Sequence, residues 1–114
     1  MKITRLENCP KTAVEMEGAL GASRQVPIGK AEDSPNISIR VFTVEPGGHT
    51  PHHSHDSEHL NYVIRGQGEV MGRETPRTVK QGDFVFVAPN EPHQYRNTGG
   101  QPLVFMCIVP SKFE

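Results

Sequence analysis

At 114 residues the chain has the length of a single domain with one core, and no candidate linker or repeat divides it. Its 12 Lys and Arg nearly balance 13 Asp and Glu, which argues against a nucleic-acid-binding surface or a polybasic membrane patch. No apolar run approaches the ~20 residues of a spanning helix. Residues 1–8 lack the apolar segment of a secretory signal, and two cysteines, Cys9 and Cys107, make no disulfide framework, so a cytoplasmic protein with reduced thiols is expected.

In chain order, the first 25 residues are the least decided, with short strands expected at 2–6 and 24–28. Residues 12–20 are the only helix-like stretch; they are short and interrupted by glycine, and read as a loop or a single turn. Residues 37–44 (ISIRVFTV) read as a strand stopped by Glu45-Pro46-Gly47-Gly48. Residues 59–64 (HLNYVI) form another, closed by Arg65-Gly66-Gln67-Gly68, with 69–71 as its hairpin partner. Residues 77–80 lead into the turn Gln81-Gly82-Asp83. Residues 84–87 (FVFV) are a buried strand, and 103–109 (LVFMCIV) a long apolar strand before Pro110. Many short strands at this spacing predict an all-β sandwich or barrel over 1–114.

Five of the six histidines fall within the eleven residues from His49 to His59. Side chains two apart on an extended chain share a face, so His53, His55 and His59 point the same way. Imidazoles crowded on one face suit a transition metal, and His93, arriving from a distant strand, would be a fourth ligand. The plain alternative is a set of surface histidines.

The spacing resembles the two motifs of the cupin superfamily. The first is usually written G(X)5HXH(X)3,4E(X)6G. Here Gly47, His53, His55, His59 and Gly66 occupy its slots, with histidine in place of glutamate. The second, G(X)5PXG(X)2H(X)3N, matches Gly82, His93 and Asn97, with Pro89 displaced by one residue and Asn90 replacing the second glycine. The motifs cover 47–66 and 82–97. Glu58 sits one residue from the glutamate slot, but its spacing and parity are wrong, so it reads as a solvated charge. The resemblance implies a jelly-roll β-barrel, a mononuclear site with two neighbouring positions left open, and a homodimer built on the N-terminal strands. The ligand set His53, His55, His59 and His93 implies one divalent transition metal ion per chain, whether Mn, Fe, Ni, Cu, Co or Zn. Four neutral ligands leave the ion its full charge, which favours anionic ligands.

Parity with the ligands adds pocket candidates: Asn61 with His59, and Tyr95 with His93. Phe105 and Cys107 form one face of the last strand; Val104, Met106 and Ile108 form the other, equally apolar, so periodicity does not choose between them. Arg40, alone among apolar residues, faces either an anionic substrate or solvent. His49 has the parity of the ligands but lies in a Gly/Pro-rich loop, whereas His52 alternates outward. The expected function is metal-dependent enzymology on a small organic molecule, with redox chemistry using oxygen or a peroxide as the leading expectation from similar cupins. The rivals are Lewis-acid isomerisation or decarboxylation, and a non-catalytic metal-dependent small-molecule binder or sensor.

Overall fold

Short runs of β-branched and aromatic residues, cut by Gly, Pro and Asn, become nine strands in a computed structural model that describes residues 1–114. They are β1 (Thr12–Ala13), β2 (Leu20–Ile28), β3 (Ile37–His49), β4 (His59–Arg65), β5 (Gln67–Met71), β6 (Arg77–Lys80), β7 (Phe84–Val87), β8 (Gln94–Arg96) and β9 (Leu103–Pro110). Three 3-10 turns, Leu6–Asn8, Lys30–Glu32 and Ser111–Phe113, are the helical pieces. No helix is long and apolar enough to cross a membrane.

The strands form one antiparallel sheet in the order β6-β5-β8-β3-β9-β4-β7, with β2 added to β3 and β1 to β2. The sheet curls into the all-β jelly roll expected from the sequence. Along β3 and β9 the inward pairs climb in steps of two residues: Val44 opposite Leu103, Phe42 opposite Phe105, Arg40 opposite Cys107. The lowest step belongs to the closed core, with Ala22, Val63 and Val79. The upper steps open into the site.

Four expectations are corrected. Residues 84–87 are a strand, but β7 is a sheet edge that buries only Val87 and leaves Phe84 and Phe86 exposed. Residues 2–6 form no strand; the segment runs into the Leu6–Asn8 turn and covers the outer face of β2, where the Gln25 amide donates to the carbonyls of Leu6 (2.8 Å) and Cys9 (3.0 Å). Part of the stretch read as loop is paired, since Thr12–Ala13 is β1 and Leu20 opens β2. Glu45-Pro46-Gly47-Gly48 does not stop β3 but bends it. Gly47 has a φ of +81°, and a side chain on Gly48 would crowd the Leu20 carbonyl, so the glycines let two backbones cross closely.

Candidate metal centre

The base of the histidine segment is locked first. Thr50 N–H donates to the Tyr95 carbonyl, Tyr95 N–H donates to Thr50 Oγ1, and the Gln94 amide donates to the Thr50 carbonyl, each at 2.9 Å. Three residues on, His53 and His93 form an isolated antiparallel bridge, with His93 N–H 2.8 Å from the His53 carbonyl and His53 N–H 3.2 Å from the His93 carbonyl. This bridge joins the two motifs.

The ligand atoms of His53, His55 and His93 all lie within 4.8 Å of one another. His59, the first residue of β4, stands deeper beside this trio. Its ring stacks on His55 at 4.8 Å between centroids and meets His93 edge-on at 5.1 Å. Along the segment His52, Ser54, Asp56 and Glu58 are exposed, while His53, His55, Ser57 and His59 are not. The alternation holds although residues 50–58 contribute no strand.

The four imidazoles are held neutral. Burial, followed by neighbouring imidazoles and Arg40, lowers His53 to about 4. Burial and then Arg40 take His59 to about 3. Burial also lowers His55, and lowers His93 against an opposing hydrogen bond between its Nδ1 and the Glu91 carbonyl at 3.0 Å. His59 Nδ1 lies 3.7 Å from Cys107 Sγ, and its Nε2 is sealed from solvent with no hydrogen-bond partner. An unpaired buried nitrogen costs on the order of 1–3 kcal/mol. Converging neutral imidazoles and one orphaned ring nitrogen are what a divalent transition metal would satisfy, so the donor set fits such an ion.

A cavity of about 190 Å³ adjoins the cluster. Of the sequence candidates, Arg40, Asn61, Tyr95, Phe105 and Cys107 all line it. His49 does not; it ends β3 half-buried, 3.4 Å from the Gln94 amide. The β9 face left open by periodicity is settled by register, because Cys107 pairs with both Arg40 and Asn61. Phe42, Phe105 and Tyr95 stack in series, with centroid separations of 5.3 and 3.9 Å. The Asn61 amide donates to the Tyr95 hydroxyl at 2.6 Å, leaving Asn61 Oδ1 buried and unpaired. Phe42 escaped the sequence reading although it lies two residues from Arg40 on the same strand face. Arg24, Val14 and Met16 also line the cavity. Nothing periodic around Val14 and Met16 marks them.

The family profile described as "Cupin domain" matches residues 40–109. The chain belongs to the cupin family. This cupin is 27% identical to the oxalate-binding protein of Thermotoga maritima over 96% of its own length and 93% of that protein's. It is 34% identical, over 71 residues, to an uncharacterized protein of Methanocaldococcus jannaschii, where the match spans 61% of this chain but only 57% of the relative. Among solved structures, the polyketide cyclase RemF from Streptomyces resistomycificus superposes with a TM-score of 0.92 at 26% identity, over 97% of this chain and 80% of that one.

Proposed function

We propose that this cupin is a metal-dependent enzyme that cyclises or isomerises a small, flat polycarbonyl or aromatic molecule. His53, His55, His59 and His93 would hold the ion. The carrying observation is that three of these neutral imidazoles, His53, His93 and His59 with its unpaired Nε2, border an aromatic-walled cavity. The likeness to a polyketide cyclase along nearly the whole chain supports the substrate class. Bound by four neutral ligands, a divalent ion supplies strong polarisation of carbonyl groups.

The chain's own groups then bind and orient. The Phe42–Phe105–Tyr95 stack offers a surface for a flat ring. Burial raises the Tyr95 hydroxyl well above its ordinary range, so at neutral pH it acts as a hydrogen-bonding group rather than a base. Burial raises Cys107 as well, despite Arg40, which keeps the thiol protonated and unreactive. The unpaired Asn61 oxygen is free to accept a hydrogen bond from the substrate.

The oxidative chemistry expected from the sequence rests on the wider family alone. A screen of aromatic polyketone analogues on matched zinc- and iron-loaded protein, read by mass spectrometry and oxygen consumption, decides between the readings. The expected result is turnover in the zinc form to products of equal mass, or lighter by one water. Products that gain oxygen, formed only with iron, would establish the oxidative reading instead. Tight uptake with no product would make this cupin a binding protein, the role named for its Thermotoga relative.

A further inference from the structure

Two guanidinium groups line the cavity. Arg24 donates to the backbone carbonyl of Glu114 at 2.8 Å. Arg40 sits level with Cys107 across β3 and β9, and therefore on the same step as Asn61. Its guanidinium lies over the Phe42 ring, 4.9 Å from the centroid. Nη1 donates to the Phe113 carbonyl at 2.9 Å, and Nη2 points at the Cys107 sulfur at 3.3 Å. Nε is buried and has no acceptor.

No carboxylate pairs with Arg40. The ion pairs of the molecule are Lys2–Glu32 and Lys112–Asp56. The acidic residue at the cavity wall, Glu15, is exposed and joins no ion pair. A guanidinium carries five donors and stays charged at any working pH. Here it spends them on one carbonyl and one sulfur, and sulfur is a weak acceptor. A half-buried cation with no counter-ion is unfavourable, and neutral imidazoles do nothing to offset it.

We propose that Arg40 forms an anion subsite of this cavity, recognising a carboxylate group on the bound organic molecule. The guanidinium is steadied by the Phe42 ring and the Phe113 carbonyl, and the Cys107 sulfur is the contact that a carboxylate oxygen displaces. The inference rests on the cavity being the substrate site of the proposed enzyme, but it does not require the metal.

Benzoate and benzamide share a shape and differ in charge, so they isolate the subsite. Metal-free and zinc-loaded protein are titrated with each near neutral pH by calorimetry, alongside metal analysis. Wild type should bind benzoate at least about tenfold more tightly than benzamide in both forms, the scale of a hydrogen bond to a charged group. Arg40→Gln should lose that preference while keeping benzamide affinity within about twofold, and Arg40→Lys, which keeps the charge without the fork, should fall between them. Equal affinities in metal-free wild type, or no benzoate binding at all, would overturn the subsite; both readouts stand even if Arg40→Gln does not fold. A preference seen only in the zinc form would assign the anion to the metal and also overturn it. Protein that binds no metal yet keeps the benzoate preference would sink the enzyme reading and leave the subsite standing.

Discussion

At the scale of single residues, Glu58 and His59 compete for one ligand slot, and their burial separates them. Glu58 is exposed, whereas His59 is 2% exposed with an unpaired ring nitrogen beside His55 and His93. His59→Ala should lower bound metal from about one per chain to less than about half, and Glu58→Ala should leave it unchanged. Elemental analysis of the purified variants checks this, and the reverse pattern would refute the assignment. The same imidazoles set the acid response of the metal-free protein. Their folded values lie below the unfolded value of about 6.5, with His53 near 4 and His59 near 3. Below pH ~6.5 the unfolded chain therefore binds more protons than the native one, and stability falls as the pH drops from there through ~4 towards ~3. The contribution of these imidazoles is full above pH ~6.5. Urea midpoints of chelator-treated protein should fall steadily across that window; a flat profile would mean the imidazoles are not buried neutral.

Among the elements, the turns decide how closely strands approach. Gly66, between β4 and β5, has a φ of +87°, and a Cβ there would be driven against the Pro102 carbonyl oxygen. Gly82 has a φ of +95° but open space around it. Gly66→Ala should thus cost strain plus collision, about 3–5 kcal/mol, and Gly82→Ala strain alone, about 1–2 kcal/mol. Chemical denaturation of both variants measures the difference, and equal losses would show that the Pro102 contact yields easily. Asn90 illustrates the same physics from the other side. It replaces a motif glycine, yet has a φ of +66°, a left-handed conformation that asparagine tolerates better than most residues. Asn97 holds its turn through Nδ2, which donates to the Val44 and Gln101 carbonyls at 2.8 and 2.7 Å.

For the whole molecule, the outer face of β4, β7 and β9 lacks cover. Leu60 lies between Phe86 and Ile108, and Tyr62 between Phe84 and Met106, in two cross-strand rows. Phe84 is 83% exposed and Phe86 64%, and β7 is a sheet edge. An apolar surface of this kind on an edge invites a partner. We propose this face, rather than the N-terminal strands named from the sequence, as the contact of the expected homodimer; residues 6–9 cover the outer face of β2 within their own chain. Sedimentation should give twice the 12.6 kDa chain mass, and Phe86→Glu should shift it to the monomer. A monomeric wild type at micromolar concentration would remove the argument.

Alternation along one segment is a local property, so it can be read without coordinates. It sorted His53, His55 and His59 from His52 and Glu58, and marked Asn61 and Tyr95 as inward, because side-chain direction on an extended chain depends only on position along it. The all-β class was legible for a related reason, since strand and turn residues alternate visibly along the chain, whereas the jelly roll followed from the resemblance to the cupin motifs. Other features depend on which strand lies beside which. Register alone brought Cys107 opposite Arg40 and Asn61, closed the bridge between His53 and His93, kept His49 out of the cavity, and laid residues 6–9 over the outer face of β2. Those pairings join residues far apart in sequence and are chosen by the burial of the whole sheet, which no single segment of the chain encodes.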